Sequence, residues 1–276
     1  MGLTWSSPDV ISNAVREVRK TVGDGAFQGN FALAFPPVGL RAALGAGLPI
    51  VTFSWGDPTP HLEMCRSHGA SIGVQVTDLE EAKRMIGLGV DFLIVQGIEA
   101  GGHVQSTKPL MELLPAIAAL GTPVVAAGGL VDGADVRRVL DAGAHGAMLG
   151  TRFVATQESL AHETYKAMLL ECDETVLTKL FDGGWPDAPH RVLRNSTFKA
   201  WEAAECPPSG LRPGEREVVG QAPGGKILRY EDTAPRIGFT GSIEEMCLYA
   251  GSGVARISDL PTAADLVHRL TVDASL

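Results

Sequence analysis

The chain has 276 residues, 45% of them hydrophobic. One α/β barrel of roughly 250 residues fits that length as a single domain, and a second full domain would be cramped. Its 23 Lys+Arg against 32 Asp+Glu give a formal charge of -9, which repels phosphate backbones and anionic lipid and argues against nucleic-acid or membrane partners. No apolar run reaches the roughly 18 residues that span a bilayer, and Met1 to Asp9 lacks the basic start of a signal peptide, so a cytoplasmic protein is expected. Cys65, Cys172, Cys206 and Cys247 lie far apart with no C-x-x-C pair and no histidine at ligand spacing. Free thiols are expected, with neither a metal site nor a disulfide framework.

In chain order, short β-rich runs alternate with segments of helical period, the succession that builds a parallel sheet with crossover helices. Helix is expected over Val10–Val22, Val38–Gly47, Pro58–His68, Leu79–Leu88, Leu110–Leu120 and Gly133–Ala142. Strand is expected over Phe31–Phe35, Ile50–Ser54, Ser71–Val76, Asp91–Gln96, Pro123–Ala127 and Gly146–Leu149. Their apolar residues do not alternate strictly, as in strands covered on both faces. Asp57-Pro58 sets a cap and a first-turn proline, and Thr77-Asp78-Leu79-Glu80 resembles a capping box. Gly47, Gly69, Gly89 and Gly143 stand where helices should end in a left-handed residue.

The pattern changes near Phe181, where Asp182-Gly183-Gly184-Trp185-Pro186 and Cys206-Pro207-Pro208-Ser209-Gly210 break any long helix. The reading is a β/α core over 1–155, a helical and loop-rich cap over 156–240, and C-terminal helices over 241–276 packing back on the core, all within one domain. Ser242–Tyr249 and Thr262–Leu270 are the two expected C-terminal helices.

Chemistry concentrates at strand ends. After Phe92-Leu93-Ile94-Val95-Gln96 comes Gly97-Ile98-Glu99-Ala100-Gly101-Gly102-His103. A barrel strand's C-terminal end faces the active site, and glycines there let backbone amides approach a ligand. His103 in such a turn suits a general base or a hydrogen-bond donor, although an isolated Gly-Gly-His is more often a solvated turn. The next two strands run into Gly128-Gly129 and into Met148-Leu149-Gly150-Thr151-Arg152. Two consecutive glycine turns, the second with a hydroxyl, form a phosphate cradle of the kind barrels place there. Arg152 either reaches the same anion or forms a salt bridge. Asn30, Gln75 and Gln96 offer amides that donate and accept at once, suited to a heteroaromatic edge or simply to structural bonds. His61, His68, His145, His162, His190 and His268 read as surface or capping residues, and Trp5, Trp55, Trp185 and Trp201 as core or lid packing.

On Gln96-Gly97-Ile98-Glu99-Ala100-Gly101-Gly102-His103, with Ala126-Ala127-Gly128-Gly129-Leu130 and Met148-Leu149-Gly150-Thr151-Arg152-Phe153, the chain resembles the nitronate monooxygenases, formerly 2-nitropropane dioxygenases. The resemblance extends to Tyr249-Ala250-Gly251-Ser252-Gly253-Val254. It implies a TIM-type (β/α)8 barrel and an FMN cofactor without metal. The implied reaction takes a nitronate or nitroalkane and dioxygen to a carbonyl compound and nitrite. By that similarity His103 is the base or the partner of the nitro group, Gln96 and Gly101 flank the isoalloxazine, and Asn30 meets its pyrimidine side. Gly129, Met148, Leu149, Gly150 and Thr151 hold the ribityl phosphate. The family pattern opens with a Pro-Met strand and a helix before a Gly-Gly-Leu-Gly turn, whereas this sequence opens at Met1-Gly2-Leu3-Thr4, close to that turn. The barrel is therefore expected to lack its first strand and helix, and open edges make a homo-oligomer plausible. The competing expectations are an FMN-dependent enoyl reductase, which would consume a nicotinamide, and a non-catalytic flavin- or phosphate-binding relative.

Overall fold

The computed structural model describes residues 1–275. In chain order the elements are α1 (Pro8–Val22), β1 (Gln28–Ala32), α2 (Leu40–Gly45), β2 (Ile50–Ser54), α3 (Thr59–Ser67), β3 (Ser71–Val76), α4 (Leu79–Gly87) and β4 (Phe92–Gln96). They continue with β5 (Gly102–His103), α5 (Leu110–Ala118), β6 (Val124–Ala127), α6 (Gly133–Asp141), β7 (Gly146–Met148), α7 (Thr151–Val154) and α8 (Glu163–Glu171). The chain then forms β8 (Thr175–Thr178), β9 (His190–Leu193), α9 (Ser196–Ala203), β10 (Val218–Ala222), β11 (Gly225–Leu228), β12 (Thr240–Gly241) and α10 (Ala263–Ser275). Two compact units result. The first comprises residues 1–96, 112–126 and 142–145, and the second, among the described residues, 97–111, 127–141 and 146–275.

The first unit is a parallel sheet with its crossover helices. Strands β1, β2, β3, β4 and β6 lie side by side in that order, and β1 to β4 pair in parallel, with Asn30 opposite Thr52, Thr52 opposite Gly73 and Gln75 opposite Ile94. Phe31, Val51, Phe53, Ile72, Val74, Leu93, Val95 and Val124 are all buried, as are Ile11 and Val15 on the inner face of α1. Each such side chain removed from water stabilises the fold by about 1.5–3 kcal/mol before entropy is counted. At the other edge of β1, Gly2 forms a parallel bridge with Asn30, the Asn30 amide donating to the Met1 carbonyl at 2.8 Å and the Leu3 amide to the Asn30 carbonyl at 2.9 Å.

Local chemistry explains where these helices begin and end. The Asp78 carboxylate accepts from the Glu81 amide at 2.8 Å, while Glu81 Oε2 accepts from the Thr77 amide at 3.1 Å. That is a capping box displaced by one residue at its return bond. Asp57 accepts from the amide and hydroxyl of Thr59 at the start of α3, and these bonds with Arg84 hold its carboxyl below the usual range. Gly47, Gly69, Gly89 and Gly143 all take positive φ, between 70° and 98°, the left-handed conformation a residue with Cβ resists.

The second unit contains more β structure than the glycine- and proline-rich sequence after Phe181 suggests. One three-stranded sheet runs β5–β9–β8 and another β11–β10–β12, the pairings within both being antiparallel. Ser242–Tyr249 is not the expected helix: only Ile243–Glu245 makes a single 3-10 turn. Its carbonyls are taken by tertiary partners, Glu244 and Met246 accepting from Asn195 Nδ2 and Glu245 from the Thr197 hydroxyl. Leu248 accepts from the Leu193 amide, and Tyr249 bridges antiparallel to Val192. Two clusters fill this region, one around Tyr165, Leu169, Leu193 and Leu248, the other around Phe181, Val192, Phe198 and Tyr230.

Candidate functional site

The turn that follows β4 is held open by backbone and glycine. The Gly97 amide donates to the Ala127 carbonyl at 2.9 Å and the Ala100 amide to the Gly97 carbonyl at 3.1 Å. Both carboxylate oxygens of Glu99 accept from the Leu110 amide, capping α5. A Cβ at Gly101 would run into the backbone of Ala250 and Gly251, so only glycine lets the two loops lie this close. The Ser252 amide completes the junction by donating to the Glu99 carbonyl at 3.0 Å.

His103 leaves this turn on β5 and lies opposite His190 of β9. Its ring centroid is 4.4 Å from Trp185, 5.4 Å from His190 and 5.6 Å from Tyr249. Aromatic walls that strip water from an imidazole disfavour its charged form. Burial, reinforced by His190, accordingly pushes the His103 pKa down to about 4. His190 is fully buried and is also lowered by burial. From sequence His190 reads as a surface or capping residue. The structure corrects this, because β9 is drawn inside by pairing on both sides. Arg191, its neighbour, turns its guanidinium to the Ile98 carbonyl at 2.8 Å. Tyr249 donates its hydroxyl to the Asp232 carbonyl at 2.8 Å, and its own carbonyl accepts from the Tyr165 hydroxyl.

The second glycine turn joins the same loops. Gly128 and Gly129 adopt φ of 132° and 67°, and a Cβ on Gly129 would lie 2.9 Å from Glu99 Cβ and 3.1 Å from Ser252 Oγ. Met148 and Leu149 are half-buried, and Gly150, exposed, has nothing within 4 Å of where a Cβ would stand. The Thr151 hydroxyl accepts from the Gly251 amide at 2.8 Å, which leaves its own O–H to donate. His103, Gly101, Gly128, Gly129, Met148, Leu149, Gly150 and Thr151 thus belong to the second unit. Of its loops, those of Gly101 and Thr151 both meet Gly251, and that of Gly129 meets Glu99 and Ser252. Arg152 takes the second course open to it: it is buried and binds Asp259 at 2.6 Å, besides the Asp259 carbonyl. Arg256 approaches the Gly129 carbonyl at 3.3 Å but is committed to Asp132 and Asp135.

Asn30, Gln75 and Gln96 belong to the first unit. The Asn30 amide donates to the Thr52 carbonyl and hydroxyl and accepts from the Ser54 hydroxyl, a set of bonds within the sheet. Gln96 is buried at the last position of β4, and Gln75 is half-buried in β3. Trp185, His190, Tyr249 and Gly251 are the residues that sequence reasoning did not assign to the site. For Tyr249 and Gly251 the closing glycine string was a usable signal; for His190 no local pattern was.

The family model for nitronate monooxygenase matches residues 4–273. The chain belongs to the nitronate monooxygenase family. Within it, a nitronate monooxygenase of Paraburkholderia phytofirmans is 32% identical over 235 residues, covering 80% of this chain and 59% of that protein. A (3aS,4S,5R,7aS)-5-hydroxy-7a-methyl-1-oxo-octahydro-1H-indene-4-carboxyl-CoA dehydrogenase of Mycobacterium tuberculosis is 33% identical over 202 residues, covering 71% of this chain and 56% of that protein. The chain therefore spans less than two thirds of the length of these curated relatives. Among solved structures, nitroalkane oxidase from Streptomyces ansochromogenes superposes with a TM-score of 0.77 at 26% identity, over 100% of this chain and 87% of that one. As a nitronate monooxygenase family member the chain has the α/β fold expected from its strand–helix succession, of the TIM-barrel type that the resemblance implies.

Proposed function

We propose that the chain is an FMN-dependent oxidoreductase that converts alkyl nitronates and dioxygen to carbonyl compounds and nitrite. The observation that carries this reading is His103, set after the glycine turn among three aromatic rings and held neutral by them. A neutral imidazole accepts a proton from the carbon α to a nitro group, or donates its N–H to nitro oxygens. Because burial opposes the imidazolium, His103 stays uncharged well below neutral pH, which keeps its N–H available to nitro oxygens while making it a weaker base than a free imidazole.

The residues fit the phosphate end of the cofactor. Open backbone at Gly150, the Thr151 hydroxyl with its proton to give, and the positive-φ turn at Gly128-Gly129 are the donors and clearances that a phosphate dianion needs. When bound, FMN supplies the electron transfer that no side chain can. Gly129, Met148, Leu149, Gly150 and Thr151 would hold it, while His103 orients the nitro group and, with a neutral nitroalkane, takes the proton from the α carbon.

The test is the visible spectrum of the purified protein before and after anaerobic addition of propyl-2-nitronate. Flavin bands that bleach support the reading; a protein that takes up FMN and is not reduced refutes it. A second reading rests on the Mycobacterium tuberculosis relative, a carboxyl-CoA dehydrogenase of comparable identity. Removal of a proton α to a thioester asks the same of His103, and bleaching by an acyl-CoA in place of the nitronate would select it.

A further inference from the structure

His190 packs against His103 and is bound by backbone groups at both ring nitrogens. The Phe181 amide donates to Nε2 at 3.2 Å, so that nitrogen carries a lone pair. Nδ1 lies 2.9 Å from the Ala188 carbonyl, which can only accept, so Nδ1 carries the proton. Protonating Nε2 would break the first bond and set two N–H groups against each other in a fully buried site. The backbone therefore fixes the tautomer from both sides, and β9 is itself held by β8 and β5.

We propose that His190 is a positioning residue: locked in one tautomer, it walls the His103 ring and leaves His103 as the one imidazole of the pair that exchanges protons. The inference rests on the reading of His103 as the proton-handling group. Two adjacent imidazoles free to titrate would share a charge and blur the protonation state of each. A locked neighbour removes that ambiguity while still excluding water. The charged groups on the surrounding elements are engaged elsewhere. Arg191 binds the Ile98 carbonyl, and Asp182 binds Arg212 at 2.9 Å. Cys247 is buried and Tyr249 donates to the Asp232 carbonyl, burial raising both the thiol and the phenol. Asp232 is raised by burial, and Glu99 is bound to the Leu110 amide. Burial lowers both imidazoles, in agreement with this arrangement.

The test is NMR of the full chain with isotope-labelled histidine, titrated from pH 5 to 8 without nitronate, the signals assigned with His103→Asn and His190→Gln. In the unsubstituted protein the His190 nitrogens should show Nδ1 protonated and Nε2 bare, with no movement across the range. In His190→Gln, which can still accept from the Phe181 amide, the His103 titration, followed down to pH 3, should lie at least half a pH unit higher than in the unsubstituted protein, because the opened wall lets water back onto the ring. The acid limb of kcat/KM should move by the same amount. A His190 signal that titrates near 6.5, the opposite tautomer, or an unmoved His103 in folded His190→Gln would overturn the proposal. The unsubstituted protein alone decides the tautomer, so the result survives a variant that does not fold. Failure of nitronate oxidation would appear in turnover without altering these signals, so the two readings fail separately.

Discussion

At His103 the environment rather than the residue type sets the chemistry. An ordinary imidazole near pKa 6.5 would be partly charged in a neutral cell, whereas this one titrates at about 4. The neutral form dominates above that value, so the acid limb of kcat/KM should fall near pH 4 instead of 6.5, read from a pH–rate profile with neutral nitroalkane. His103→Asn should leave flavin content unchanged and slow anaerobic flavin reduction by neutral nitroalkane by about 10²-fold or more, the usual worth of a general base; unchanged reduction would remove the base role. Gly101→Ala should destabilise the fold by about 1–3 kcal/mol in urea titration, because the added Cβ meets backbone that cannot rotate away. The Gly-Gly-His string was readable because strand, turn and imidazole are adjacent in sequence. His190 was not, because its burial comes from strand pairing that no neighbouring residue announces.

Among elements, β2 and β3 coincide with the runs Ile50–Ser54 and Ser71–Val76 read from sequence, since central parallel strands must be apolar on both faces. The capping signal at Asp78 was equally plain, and Asp78→Ala should cost about 1 kcal/mol in chemical denaturation by releasing the Glu81 amide. Strands β8 to β11 escaped notice because each is short, and β9 to β11 are set among glycine and proline. Their order comes from long-range pairing. Ser242–Tyr249 was misread for the same reason, its backbone carbonyls being satisfied by Asn195, Thr197 and Leu193 rather than by a helix of their own. Arg152 shows the opposite case: the residue was noticed, but only the structure shows that Asp259 holds it.

For the molecule as a whole, the four thiols report folding. Cys65 and Cys247 are buried and Cys206 is exposed, and burial raises the Cys65 thiol to about 11. A thiol reagent at pH 8 should therefore modify Cys206 in the native protein and reach Cys65 and Cys247 only in denaturant, as mass spectrometry of the labelled chain will show. Stability should also depend on acid. His103 binds its proton more weakly when folded than when unfolded, so its contribution is complete above pH 6.5 and is lost as pH falls toward 4. Denaturation midpoints measured at pH 7 and pH 5 should drop accordingly, and the drop should shrink in His103→Asn.

The pairing of β5 with β9 ties the proposed base to a strand far downstream. During synthesis, all the parallel strands from β1 to β7 leave the ribosome before Trp185 and His190 exist to enclose His103. Closing so long a loop comes late in folding. A nascent chain can thus acquire its sheet before His103 is enclosed, which leaves the proposed base unordered until β9 has been made.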